Sequence, residues 1–345
     1  MMSDPVLKRN EALARLDRFP RTRLTFLPTP LVELRRLGQA LGGPRLVMKR
    51  DDLTGLGLGG NKTRKVEFLL GEALVQGCDT VITGGATQSN HCRQTSAAAA
   101  AAGLECHLAL GGTRPDSPGG NLLLDLLFGA VVHWCGENRK GERIPEIAEE
   151  LRAKGHVPYV IPYGGSNAVG ALGLVAAIVE LRGQLEEQGQ KVDCLVVASS
   201  SGGTHAGMVV GLDLCGLAAR IVGIGIDKGG PGEGRYESRL AALANEVAEL
   251  LHLETRYTED RFDVRNDYLG AGYGAVGDLE REAIRLVARH EGVLLDPVYT
   301  GRAMGGLIDL IRKGEFGKDE TVLFWHTGGA PAVFAYGQDL LIGNR

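Results

Sequence analysis

Short β-branched runs alternate along this chain with longer stretches whose apolar positions recur every three or four residues. "CDTVITGG" (78–85) is such a run and ends in glycines. "NHCRQTSAAAAAAG" (90–103) then reads as a helix closed by Gly103, and "LECHLAL" as the next strand. The same order returns later. "VDCLVVASSSGG" is strand then Gly/Ser loop, "THAGMVVGLDLCG" is helix, "RIVGIGI" is strand, and "TVLFWHTGG" is a late strand running into a glycine turn. After Lys62, the residues Val66, Leu69, Leu70, Ala73 and Leu74 make an i, i+3, i+4, i+7, i+8 stripe that Gly77 ends. Apolar strands alternating with helices predict an α/β fold with open, mainly parallel twisted sheets flanked by helices. Such sheets collect ligands at the carboxyl ends of their strands. The glycine-rich loops 84–90, 199–204 and 327–329 each follow a predicted strand, so together they can form one site. "GGTRPDSPGG" is the most loop-like stretch, and neither an internal repeat nor a long linker is visible.

Composition narrows the classes. A chain of 345 residues is long enough for one large domain or two ordinary ones. Net charge is −4, from 38 basic and 42 acidic residues without long runs of either sign, which makes nucleic acid and anionic membranes poor partners. Apolar runs are broken by glycine or charge, so no membrane-spanning helix is expected. The first residues, "MMSDPVLKRNEALARLDRF", carry acids and no apolar core segment, unlike a signal peptide. Six cysteines are scattered singly with no Cys-x-x-Cys pair. Reduced thiols, a cytoplasmic location and no metal are the expectation.

Four places could carry chemistry. Lys62, in "GGNKTRK", sits where a helix begins, a poor place for a structural cation and one that depresses an amine's pKa. It is either one of three solvated basic residues with Arg64 and Lys65, or a nucleophile or base. In "SSSGGTHAG" the amides of Ser201, Gly202, Gly203 and Thr204 can nest one phosphate at a helix start, or form a plain turn; the nucleotide-binding glycine patterns are absent. In "GGATQSNHCRQ", Ser89 and Asn90 suit an N-cap or a carboxylate cradle. In "DPVYTGRAMGG", Tyr299 and Thr300 lie between a strand and a helix, where a tyrosine commonly packs with its hydroxyl satisfied. His205 and His326 read as buried, hydrogen-bonded histidines. An amine, a monophosphate nest and a carboxylate cradle on strand-end loops fit pyridoxal phosphate with a small amino-acid substrate.

The stretches "KRDDLTGLGLGGNKTRKVEFL", "GGATQSNHCRQ", "IPYGGSNAVGALG", "SGGTHAGM" and "LLDPVYTGRAMGGL" together resemble the family of D-cysteine desulfhydrase and 1-aminocyclopropane-1-carboxylate deaminase, over about residues 20 to 340. The resemblance implies a tryptophan-synthase-β-like, fold-type II pyridoxal-phosphate enzyme, usually a homodimer. It implies a large cofactor-binding domain (1–64 and 173–345) and a small α/β domain (65–172). It places the cofactor-bearing lysine on Lys62 rather than Lys65, and the phosphate cup on Ser201, Gly202, Gly203 and Thr204. Asn90 falls where the family binds the cofactor's phenolic oxygen. Ser89 and the backbone at Asn90 and His91 fall where it holds the substrate carboxylate. Tyr273 and Tyr299 match a pair flanking the reacting carbon. Thr300 stands where the cyclopropane deaminases have a Glu beside the pyridine nitrogen, and the desulfhydrases resemble this chain in having Thr.

That threonine turns the expectation from ring opening to α,β-elimination of D-cysteine. Lys62 is then the base, and Ser89, Tyr299 and Tyr273 stand near the reacting atoms. The rivals are a lyase for cysteate, β-chloroalanine or O-acetylserine, the deaminase itself, and a protein that binds pyridoxal phosphate without turnover.

Overall fold

The computed structural model describes residues 5–227 and 234–342. Among the described residues ten strands form two sheets: β1 Leu31–Glu33, β2 Arg45–Arg50, β3 Thr80–Ala86, β4 Glu105–Gly111, β5 Val131–Trp134, β6 Pro158–Val160, β7 Cys194–Ser199, β8 Arg220–Gly225, β9 Asp263–Arg265 and β10 Thr321–His326. One sheet has six strands in the order β1-β2-β10-β7-β8-β9, and the other has four in the order β5-β4-β3-β6. Every pairing is parallel except β1 with β2, so the expected architecture holds with one antiparallel edge.

The strand-to-glycine transitions read from the sequence fall at strand ends. β7 and β10 are neighbours in one sheet, and the loops that follow them open side by side. The loop after β3, in the other sheet, comes to meet them. Gly60 and Gly328 lie back to back. A Cβ on Gly328 would stand 2.6 Å from the Gly60 Cα, and Gly328 has φ 88°, so both the space and the backbone demand glycine.

Helix Lys62–Val75 departs from the simple one-face expectation. Val66, Leu69, Leu70 and Ala73 pack into the core of the four-stranded sheet, whereas Phe68 packs into the core of the six-stranded one. The helix is therefore buried on nearly every side, and only Leu74 of the predicted stripe is exposed. Gly173, on helix Ala168–Glu187, lets that helix approach the backbone of Arg64, because a Cβ there would strike the Arg64 carbonyl. This second helix runs 20 residues and is apolar enough by length and composition to cross a membrane, against the expectation from the sequence. It lies in the core, with Ala171, Leu174, Val175, Ile178 and Leu181 fully buried. All six cysteines are free and buried.

Candidate active site

The three cations after Gly60 have three different fates. Arg64 is buried in a network with Asp51 (2.8 Å) and Glu180 (3.0 Å). Lys65 is buried too, and its Nζ donates to the Gly164 carbonyl (2.7 Å) and to Ser166 Oγ (2.9 Å). Lys62 has no hydrogen bond or ion pair among the described residues and reaches into the cleft wall. A solvated basic cluster is therefore excluded for Arg64 and Lys65. Burial lowers the Lys62 amine to about 8, against a raising pull from Asp296. Burial, and then Lys62 itself, hold Lys65 well below its ordinary value.

The strand-end loops meet at this amine. The cleft is lined by Lys62, Ser89, Asn90, Gly202, Tyr299 and Thr327, among others. Helix Gly203–Cys215 presents its first turn there, preceded by Gly202 at φ 98°. Its leading amides have no acceptor within the helix. A Cβ on Gly203 would stand 2.7 Å from Lys65 Nζ and 2.9 Å from Ser166 Oγ, so the absent side chain leaves a small cradle with the Lys65 amine in its wall. Ser166 Oγ also meets Ser201 Oγ (2.7 Å) and accepts from the Gly203 amide (3.1 Å). Asn61 Nδ2 donates to Thr204 Oγ1 (3.0 Å), tying the cradle to the residue before Lys62.

Helix Asn90–Ala102 supplies the second wall. Ser89 is its N-cap and accepts from the Cys92 amide (3.2 Å). Asn121 Nδ2 donates to Asn90 Oδ1 (2.8 Å), which leaves Asn90 its Nδ2 to donate elsewhere. His91 Nε2 meets Thr83 Oγ1 (2.9 Å), while its buried Nδ1 has no partner. Burial first, then Lys65 and Lys62, depress this imidazole, so it is neutral.

The third wall is the segment after Asp296. This carboxylate accepts from the amides of Val298 (3.1 Å), Tyr299 (3.0 Å) and Thr300 (2.7 Å) and from Thr300 Oγ1 (2.7 Å). Thr300 is fully buried with its hydroxyl proton committed to Asp296. Tyr299 faces the cleft, and its hydroxyl meets that of Tyr273 at 2.6 Å. Burial holds both phenols well above their ordinary value. Arg302 fixes the Tyr273 loop by donating to the carbonyls of Gly272 (3.0 Å) and Ala275 (2.9 Å). His326 is structural, accepting from the Gly328 amide (3.2 Å) and meeting the Leu294 carbonyl (3.0 Å). His205 meets Ser199 Oγ (3.0 Å).

The residues picked out in the sequence thus converge, with Thr300 behind the wall rather than in it. Sequence reasoning missed Asn61, Lys65, Asn121 and Asp296. Lys65 had a signal, since it lies three residues beyond Lys62 and so shares its helix face.

A family model described as pyridoxal-phosphate dependent enzyme matches residues 22–328. The chain belongs to that family. A D-cysteine desulfhydrase of Klebsiella pneumoniae (strain 342) is 45% identical over 332 residues, 94% of this chain and 98% of the relative. One of Salmonella newport (strain SL254) is 44% identical over 331 residues, with the same coverage. A crystal structure of an ACC deaminase homologue superposes with a TM-score of 0.88 at 41% identity, covering 99% of each chain. The diaminopropionate ammonia lyase of Escherichia coli shares the fold, with a TM-score of 0.69 at 16% identity over 99% of this chain and 94% of that one.

The site of this pyridoxal-phosphate enzyme suits the cofactor. It offers a partnerless amine for an aldehyde, a glycine cradle at a helix start and a buried lysine for a phosphate, and an oriented amide at Asn90 for a phenolic oxygen. Among the described residues no group of histidine, cysteine and carboxylate side chains could hold a metal ion.

Proposed function

We propose that the protein is a carbon–sulfur lyase of D-cysteine, which with one water yields pyruvate, ammonia and hydrogen sulfide. The observation that carries this reading is one cleft holding an amine poised near neutrality, Lys62, and the protonated hydroxyl of Tyr299, which Tyr273 contacts from behind. The curated relatives at 45% and 44% identity are named D-cysteine desulfhydrase.

Pyridoxal phosphate, when bound, supplies an aldehyde for the substrate amine and a ring that takes up the electron pair from Cα. Lys62 would carry the aldehyde. Ser201, Gly202, Gly203 and Thr204 would hold the phosphate, with Lys65 as its counter-charge, and Asn90 Nδ2 would donate to the phenolic oxygen. Thr300 is kept on the ring-nitrogen side on the strength of the resemblance, with the Asp296 carboxylate behind it. Ser89 and the first-turn amides at Asn90 and His91 receive the substrate carboxylate. Lys62 in its neutral form removes the Cα proton. Tyr299, which faces the cleft with its proton retained, delivers that proton to the departing sulfur, and Tyr273 orients it.

We also propose the division into a large domain (1–64 and 173–345) and a small one (65–172), a homodimer and a cytoplasmic location. Light scattering on the eluted protein reads the dimer mass directly. The decisive assay offers D-cysteine, L-cysteate and 1-aminocyclopropane-1-carboxylate under one set of conditions. Sulfide with pyruvate from D-cysteine is expected. Faster turnover of either rival substrate overturns the assignment.

A further inference from the structure

The helix that begins at the carboxylate-binding turn also holds the loop that carries the lysine. Gln94 lies one turn beyond Asn90 on helix Asn90–Ala102 and is fully buried. Its Oε1 accepts from the amide of Thr63 (2.8 Å) and from Thr63 Oγ1 (3.0 Å), and its Nε2 donates to the Asn90 carbonyl (2.9 Å). Thr63 is the residue after Lys62. Arg93, beside Gln94 and equally buried, donates through Nη2 to the Gly59 carbonyl (2.8 Å) and through Nη1 to the Gly57 carbonyl. Gly60 has no room for a side chain, because a Cβ there would strike the Gln94 amide. One unbroken path therefore runs from Asn90 through Gln94 to Thr63 and Lys62, every link a buried hydrogen bond or a peptide bond.

We propose that Gln94 is a positioning residue that couples the seating of the substrate carboxylate at Ser89, Asn90 and His91 to the placement of Lys62. The inference rests on the function proposed above. A first turn drawn onto a carboxylate moves the Asn90 carbonyl, which holds Gln94 Nε2, and the rigid amide of Gln94 passes that movement to Thr63. A side chain that only filled space would leave the two ends independent. Coupling between two sites is reciprocal, and a contiguous buried network of this kind can carry it.

The test uses the holoenzyme and propionate, a carboxylate with no amine to react. Backbone hydrogen exchange over residues 57–65 is measured with and without saturating propionate. In the wild type, exchange slows at least threefold. In Gln94→Met, propionate still competes with D-cysteine with an inhibition constant within threefold of wild type, but the slowing disappears. Turnover in that variant falls at least tenfold while KM changes less than threefold. Gln94→Glu keeps both acceptor contacts to Thr63 but, as an ionised carboxylate, has nothing to donate to the Asn90 carbonyl, so the slowing disappears there too. A wild-type loop indifferent to propionate, or a Gln94→Met loop that responds as the wild type does, overturns the coupling. So does loss of propionate binding in Gln94→Met, which would place Gln94 in the cradle itself. Sulfide release by the wild type is scored separately. Sulfide without the exchange effect removes only the coupling, whereas absence of sulfide removes the function proposed for the site.

Discussion

Tyr273 stands edge-on to Tyr299, the rings 77° apart and the hydroxyl oxygens 2.6 Å from one another. Two phenols at that distance share one proton donor and one acceptor, so neither hydroxyl is set independently. The Arg139 guanidinium stacks 4.3 Å from the Tyr273 ring centroid and pairs with Asp227 at 2.9 Å, bringing a residue from beyond β5 to brace a tyrosine of the other sheet's side. Tyr299→Phe is expected to lower sulfide turnover by about 100-fold or more, the usual range for a positioned proton donor. Tyr273→Phe, which removes only the orienting partner, should cost about tenfold, and the double variant should be no worse than Tyr299→Phe alone, as coupled neighbours are non-additive. Additive losses would show that the two hydroxyls work separately.

Lys62 and Lys65 should separate cleanly by experiment. Borohydride reduction and peptide mapping should place the cofactor on Lys62, and Lys62→Ala should lose both the label and turnover. Lys65→Ala should keep the label. It removes an amine donor from the wall of the Gly203 cradle, and losing one hydrogen bond to a charged phosphate corresponds to about a tenfold to hundredfold weaker cofactor affinity. A label on Lys65 would reverse the two roles.

The acidic limb of the turnover profile reports the amine. Turnover should rise with pH through about 8, where Lys62 loses its proton. Asp296 raises that value, so Asp296→Asn should move the limb to lower pH. The same change weakens the cap on Val298, Tyr299 and Thr300, so melting temperature should drop as well. A limb that stays in place while melting temperature falls would leave Asp296 a purely structural role.

Asp125 supplies a stability test away from the chemistry. It is fully buried, accepts from Ser96 Oγ (3.0 Å), and leaves Oδ2 without a partner, and burial raises it to about 8. The folded protein therefore prefers the protonated acid. Its contribution is fully present below the unfolded value near 4 and is lost as pH rises through about 8. Asp125→Asn should flatten the decline in melting temperature between about pH 4 and pH 8. An unchanged decline would mean that the carboxylate is already relieved in the native state.

What the sequence disclosed was local. The glycines before Lys62, the Ser89 cap and the Gly202–Gly203 turn each act through their immediate neighbours, so order and spacing suffice to find them. The partners that complete the site come from far along the chain. Asn61 meets Thr204 143 residues away and Lys65 meets Gly164 99 residues away, distances over which periodicity carries no information. Thr300 shows the opposite limit. Its identity was legible, but its hydroxyl's commitment to Asp296 depends on the turn geometry of residues 296–300. The stripe on helix Lys62–Val75 was read as one face because an amphipathic surface helix gives that pattern. A helix shared by two cores buries its polar side too, through Arg64, Lys65 and Glu67.

A protein that releases sulfide lives in a locally corrosive medium, since the polysulfides that sulfide forms in air exchange sulfur with exposed thiolates. The six thiols described above are all sequestered, and burial pushes each of them up, Cys106 and Cys194 to about 12 and Cys215 to about 11. The nucleophilic thiolate is thus withheld both by access and by protonation. The packing of the two cores makes the molecule chemically deaf to its own product, and it can work at high sulfide without recording its turnover in its own cysteines.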